Sequence, residues 1–524
     1  MKFERASGIL LHPTSLPGPY GIGDLGPAAY RWVDWLAGTG CKLWQVLPLG
    51  PTGYGDSPYQ CFSAFAGNPY LISPEFLLHD NLLHSNDILE QPEFDPERVD
   101  FGTLIPWKLN LLERAFKHFS SEPSTSASTG SAQQLRVGSG NISSDPSTCP
   151  SGTMSLRASF DSFSTENASW LDDYALFMAI KEAHGGGSWD GWPKPLRKRD
   201  PAALDDARKT LASSISRYTF YQFVFFRQWN TLHDYAHQKG LRILGDIPIF
   251  VANDSSDVWS HPDLFFLDSD LKSIVVAGVP PDYFSPTGQL WGNPLYRWEV
   301  HQSTGYKWWL ERLDATLKLV DILRIDHFRG FAGYWEIPAG SPTAEVGRWV
   351  LGPGADFFYA VIANLGADLP IIAEDLGLIT PDVTALRDQF ALPGMKVLQF
   401  GFSGPDNPFL PHSYPQNCVV YTGTHDNDTA RGWYESAPKT EKDFARRYLG
   451  IDGSDFARDL IRAAWKSTAV FALAPLQDFM ALSTEARFNY PSRLGGNWKW
   501  RMRDTALSGE LQESIRELNW LYQR

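Results

Sequence analysis

Short apolar runs recur along the chain, each closed by polar, Gly or Pro punctuation: GILLHPTSL (8–16), KLWQVLPLG (42–50), LRILGDIPIF (241–250), DILRID (321–326), PIIAED (370–375), MKVLQFGF (395–402), CVVYTGTHD (418–426) and AVFALAPLQD (469–478). Between most of them lie amphipathic stretches of helical length, over 218–239, 303–319, 355–366, 381–391 and 455–468. Near-continuous apolar strands alternating with helices predict a parallel α/β sheet covered on both faces. Eight repeats favour its closure into a (β/α)8 TIM barrel over an open sheet.

The spacing is uneven. Roughly 190 residues separate the second run from the third, which predicts large, mainly helical insertions on a single catalytic barrel spanning 1–524. One inserted helical subdomain is expected over 52–217, and a smaller insertion carrying a lid over 251–320. Within the first, residues 120–169 are dominated by Ser, Thr, Gly and Pro and read as a surface loop that buries too little apolar area to offset its ordering entropy.

Several strands end in an acid: Asp246, Asp326, Glu374 with Asp375, and Asp426. In a parallel barrel all strand C-termini meet at one mouth, so these acids converge although 180 positions separate the first from the last. A single strand-end Asp more often caps a helix or pairs with an Arg. Four acids beside Arg324, His327 and His425 form the constellation that splits carboxyl pKa values for acid/base work. Two carboxylates about 5–5.5 Å apart suit a retaining glycoside mechanism. Arg324, two residues before Asp326 on the same side of a strand, is placed to keep that carboxylate ionised; the histidines suit donation to hydroxyls.

Composition narrows the field further. Aromatics make up 14% of the chain with 20 Trp, which fits either a large aromatic core or faces for sugar rings. A net charge of −14, with 46 basic against 60 acidic residues and no basic stripe, predicts neither a nucleic acid nor an anionic membrane partner. The four cysteines, at 41, 61, 149 and 418, are too scattered for a disulfide framework or a C-x-x-C zinc site and read as free thiols. No 18-residue apolar run or signal peptide is visible. No His-x-His, H-E-x-x-H, phosphate loop or G-x-S-x-G elbow occurs, so neither a metal nor a cofactor is predicted.

LRIDHFRGF (323–331), IIAEDLG (371–377) and GTHDN (423–427) resemble the three catalytic stretches of the 4-α-glucanotransferases, the amylomaltases or disproportionating enzymes. LLHPTSLPGPYGIGDLG (10–26), WQVLPLGPTGYGDSPYQ (44–60), GDIPIFV (245–251), GVPPDYFSPTGQLWGNPLY (278–296) and the NW-x-WR at 497–501 extend the resemblance over nearly the whole chain. It implies a barrel that cleaves an α-1,4 linkage in maltooligosaccharides or starch and passes the glucan to the 4-hydroxyl of another glucan or of glucose. It also implies Asp326 as nucleophile, Glu374 as general acid/base and Asp426 as stabilising carboxylate. Tyr59, Asp246, Arg324, His327 and His425 match positions around the sugar at the cleavage point, and Trp291 an aromatic contact on a lid. Tyr54, Ser57, Gln289, Asp375 and Asn497 complete the expected substrate contacts. Ser492 stands where many relatives carry Gly or Ala, which bears on Asn489 as a sugar contact.

The residues specify cleavage better than they specify the acceptor. Water in place of a sugar hydroxyl would make an α-1,4-glucan hydrolase, and a catalytically inactive glucan-binding scaffold is the reading from another class. Tyr283, Phe284 and Trp291 among prolines and glycines have the character of a lid that grips sugar and excludes water. Free thiols and the resemblance to plastid starch enzymes point to the chloroplast stroma, with a transit peptide already removed, or otherwise to the cytoplasm.

Overall fold

The structure, a computed structural model, describes residues 3–121, 155–281, 285–491, 493 and 495–524. All eight apolar runs form strands: β1 (Ala6–Leu10), β2 (Leu43–Gln45), β3 (Arg242–Pro248), β4 (Ile322–Asp326), β5 (Ile371–Ala373), β6 (Gly394–Val397), β7 (Cys418–Tyr421) and β8 (Phe471–Pro475). Each pairs in parallel with its neighbour in sequence except β5 with β6, which form the two edges, and β8 pairs with β1. The ring closes between β5 and β6, where the Ala373 N–H donates to Pro393 O at 2.9 Å. Strands of three to seven residues suffice because the barrel interior is only as deep as a few layers of side chains. Gly8 permits a close approach between β1 and β2: a Cβ there would stand 2.5 Å from both Leu43 Cβ and Leu43 O.

The expected helices are found as Ala212–Gln238, Lys307–Leu317, Gly354–Leu365, Pro381–Gln389 and Phe456–Lys466. Most of the aromatic richness is core. Trp32, Trp44, Trp189, Trp229, Trp259, Trp309 and Trp465 are almost fully buried, and those with hydrogen-bonded indoles reach backbone or amide oxygens. Trp44 donates to Leu11 O at 2.8 Å and Trp229 to Leu319 O at 2.9 Å.

Between β2 and β3, helices Phe101–Ser121, Ala168–Ala183 and Pro201–Thr210 pack beside Ala212–Gln238. The Ser-rich segment differs from a loop where it is described: Leu156–Glu166 is a helix capped by Ser155, and Phe160 is buried against Phe119 and Phe223. Three phenylalanines spaced far apart in sequence supply the apolar area that the local composition lacks. Cys149 lies outside the described residues.

An antiparallel sheet that the sequence pattern did not announce joins the second insertion to the segment that follows β4. Val275–Val279 pairs antiparallel with Gln289–Pro294 and with Gly333–Pro338, which in turn pairs with Arg348–Leu351. These strands are short, partly exposed and paired across up to 63 residues (Val275 with Pro338), so no single window shows a period-two pattern. No described helix is long and apolar enough to cross a membrane.

Candidate active site

Strand β4 lays the foundation. Alternation along Arg324-Ile325-Asp326 turns the guanidinium and the carboxylate to the same side, and register places Arg324 opposite Asp246 of β3. Arg324 grips Asp246 with two bonds, Nε to Oδ1 at 3.0 Å and Nη2 to Oδ2 at 2.5 Å, and the same Nη2 donates to Asp326 Oδ1 at 2.9 Å. The Tyr59 hydroxyl donates to Asp246 Oδ2 at 2.5 Å and lies 3.4 Å from both Arg324 Nη2 and His425 Nδ1. Asp246 and Arg324 are buried behind this wall, while the Asp326 side chain keeps 30% of its surface open. Two anions therefore share one guanidinium, an arrangement a buried Arg holds better than a Lys.

After Asp326 the chain turns sharply. His327 adopts the left-handed conformation, φ 56° and ψ 47°, an uncommon one for a residue with a Cβ. That turn aims its N–H at Glu374 Oε2, 2.7 Å away, and Leu376 N–H occupies Oε1 at 2.8 Å. Glu374 is itself clamped at the end of β5, donating its N–H to Ile325 O and accepting from Phe328 N, both at 3.0 Å. Asp326 and Glu374 are thus neighbours on adjacent strand ends.

Electrostatics separates the two. Burial raises the Glu374 carboxyl to about 8, with the Asp326 charge adding to it. Burial also lifts Asp326, but Arg324 opposes and the group settles at about 6. The surroundings thus favour the proton on Glu374 and the charge on Asp326. Asp426 behaves differently: burial pushes it up, but His425, the Asn489 amide and Arg324 outweigh that and hold it well below the usual carboxylate range. Asn489 Nδ2 donates to its Oδ1 at 2.6 Å, and His425 Nε2 lies 3.4 Å from Oδ2. The His425 ring is stacked on Tyr59 at 4.9 Å and tilted against Trp498 at 5.9 Å.

Beside these groups lies a cleft of about 740 Å³, whose lining leaves out Glu374, Arg324 and Asp246. Asp326, His327, His425 and Asp426 line it, with Tyr54, Ser57, Tyr59, Gln289, Trp291 and Asn497 around them. Tyr54 is 75% exposed on a turn whose Gly55 and Asp56 both have positive φ. Gln289, Trp291 and Asn293 alternate along one strand and share its cleft-facing side. Gly288, φ 67°, starts this strand: a Cβ there would meet Val279 O at 2.4 Å. Trp291 stands edge-on to His327 at 4.7 Å, and His327 Nε2 has no partner among the described residues. Tyr283, Phe284 and Ser492 lie outside them.

Four expected contacts, Asp246, Arg324, Asp375 and Asn497, have their polar groups engaged within the protein. Asp375 follows Glu374 and so faces the opposite way: it is buried, paired with Arg387, and accepts Met395 N–H at 2.7 Å. It pins β5 to β6 rather than meeting sugar. Asp246 holds Arg324 and Tyr59 without reaching the cleft surface. Asn497 lines the cleft, yet its amide is spent on Tyr490 N–H and Arg493 O, both at 3.0 Å, bracing the loop that carries Asn489. Asn489 and Trp498 are the functional positions that sequence reasoning undervalued. The NW-x-WR motif covers Trp498 but not Asn489, and it does not reveal which side chain faces inward.

A family model described as 4-alpha-glucanotransferase matches residues 11–507. The chain belongs to the 4-alpha-glucanotransferase family. It is 50% identical to the 4-alpha-glucanotransferase of Thermus thermophilus over 99% of both chains. It is 43% identical to the chloroplastic/amyloplastic 4-alpha-glucanotransferase of Solanum tuberosum over 98% of this chain and 85% of that one. The amylomaltase of Streptococcus agalactiae, solved in complex with acarbose, superposes with a TM-score of 0.91 at 38% identity, covering 99% of this chain and 100% of that one. A 4-alpha-glucanotransferase acts on α-1,4-glucans, and the barrel mouth described above offers the acids that such a reaction needs.

Within this family member, Arg324→Lys tests the shared guanidinium. Loss of the forked grip is expected to cost about 1.5–3 kcal/mol of transition-state stabilisation and to move the acid limb of the pH–rate profile upward. An unchanged acid limb would show that Arg324 does not set the ionisation of Asp326.

Proposed function

We propose that this 4-alpha-glucanotransferase works by a retaining double displacement, with Asp326 as nucleophile, Glu374 as acid and then base, and Asp426 as the ion that stabilises the flattened sugar. The observation that carries this reading is the geometry of the pair: Asp326 held by Arg324 at 2.9 Å, beside Glu374 on the next strand end, where burial and the Asp326 charge favour the protonated form of Glu374. In the first half-reaction an Asp326 oxygen bonds the anomeric carbon while the glycosidic C–O bond breaks and Glu374 gives its proton to the departing oxygen. In the second, the 4-hydroxyl oxygen of an acceptor glucan attacks that carbon, its proton passes to Glu374, and the Asp326 ester opens with configuration retained.

Glu374 must turn to act. Both its oxygens face backbone donors, so rotation about the terminal side-chain torsion trades the His327 N–H bond for one to the glycosidic oxygen, a tightening common in working complexes. Asp426, half exposed and anchored by Asn489, stays charged as positive charge builds on the ring. Burial, with Arg329 adding to it, holds His327 at about 3, so its ring is neutral and its free Nε2 suits a sugar hydroxyl. Trp291 and Tyr54 supply ring faces at two places along the cleft.

Incubation with maltotriose tests the acceptor: glucose together with longer oligomers is expected, and glucose with maltose alone would mean hydrolysis. kcat/KM should follow a bell, rising as Asp326 ionises near pH 6 and falling as Glu374 loses its proton near pH 8. A profile flat across that range would contradict the split. Tyr54→Ala should raise KM for long glucans about tenfold, about 1.4 kcal/mol, with little change on maltotriose. Equal effects on short and long donors would remove Tyr54 from the binding path.

Residues 52–217 and 251–320 are excursions that wall the cleft on one barrel. Lys181, in the first, reaches Asp254 on the cleft rim at 2.5 Å. For the compartment we infer a reducing one, the plastid stroma in a eukaryote or otherwise the cytoplasm, on the support of the buried thiols Cys41 and Cys418.

A further inference from the structure

At the opposite end of the barrel a second cluster is assembled that the reaction does not use. His233 and His237 stand four residues apart near the end of helix Ala212–Gln238, so their rings share one face, with centroids 4.2 Å apart. Both point at one carboxylate. His233 Nε2 lies 3.3 Å from Asp321 Oδ2, and His237 Nε2 lies 2.7 Å from Oδ1. Asp321 immediately precedes β4, and its Oδ2 also accepts Ile243 N–H from β3 at 2.7 Å, which fixes the carboxylate. Asp234, on the same turn, brings another carboxylate oxygen within 4.8 Å of the ligand nitrogens of both histidines.

We propose that His233, His237 and Asp321, with Asp234 or water as the fourth ligand, form a structural site for a divalent transition ion of the zinc type. Two imidazole nitrogens with one or two carboxylate oxygens match zinc, whereas calcium takes six or more oxygens and magnesium an octahedral oxygen shell. Tetrahedral ligands about 2.0–2.2 Å from an ion lie roughly 3.3–3.5 Å from one another. The His233 contact already meets that spacing, and His237, 42% exposed near a helix end, needs to open by less than about 1 Å. Binding releases any proton held on each Nε2 to solvent, and the nitrogen lone pair passes to the metal. The ion would join the helix to β3 and β4, which makes it a stabiliser of the barrel rather than a reagent. The H-x-x-x-H spacing alone did not reveal the site, because Asp321 comes 84 residues after His237.

The full-length protein, stripped with chelator, is titrated with zinc chloride in a calorimeter and melted with and without zinc. One saturable micromolar site per chain and a raised Tm are expected. His237→Gln should weaken binding at least tenfold and abolish the rise in Tm, leaving transfer from maltotriose at the wild-type rate. Absence of saturable binding by the wild type overturns the proposal. So does equal binding by His237→Gln, which would put the ion elsewhere, such as the His84 and His118 pair with centroids 4.6 Å apart. Calcium competing as well as zinc also overturns it. His233→Gln gives the same readout if His237→Gln does not fold.

Discussion

Asp326→Asn is expected to slow turnover on maltotriose by about four decades or more, about 5 kcal/mol of transition-state stabilisation. An amide has no anionic oxygen to form the ester, and Arg324 Nη2 would face either a weaker acceptor or an amide N–H. The fold should tolerate the change. Arg324 keeps its two bonds to Asp246, and β4 keeps its register between β3 and β5. Binding of maltooligosaccharides should therefore persist, measured by calorimetry on the same preparation. Near-normal turnover would remove Asp326 from the reaction. Loss of binding and of Tm together would show that the substitution had damaged the wall instead.

Glu374→Gln should cost about three decades in rate or more, about 4 kcal/mol, because the departing sugar oxygen then leaves without a proton. A donor whose leaving group needs none, such as a glycosyl fluoride, separates the two roles of this carboxyl. With it the first half-reaction should proceed, while the second stalls for want of a base, so a glycosyl ester on Asp326 should accumulate and be visible by mass spectrometry. Retained turnover of maltotriose would mean that the acid lies elsewhere. Equal loss on both donors, with no adduct, would point to misplacement of the His327 turn, since the substituted amide turns its NH₂ group toward one of the two backbone N–H donors that the carboxylate accepts from.

The three acids proposed for the reaction were legible because each ends an apolar run, and a parallel barrel brings such ends together whatever lies between them. Sugar contacts were less so. Glu374 and Asp375 are adjacent letters, and only the pleat shows that one meets the His327 turn and the other Arg387. Asp246 reads like any strand-end acid, yet its carboxylate is taken up by Arg324 and Tyr59. Asn489, carried on a loop 63 residues after Asp426, had no periodicity to mark it. Loop residues are positioned by long-range contacts, and these leave no local pattern.

By itself the chain's order of apolar and polar residues determined the eight strands, most of the helices between them and the family, because burial period and motif are properties of contiguous residues. Tertiary structure alone decided which carboxyl keeps its proton, which acid is structural, where the antiparallel sheet forms and that two histidines meet Asp321. Each of those depends on desolvation or on a partner far along the chain, and the energy of a charge is set by what surrounds it in space.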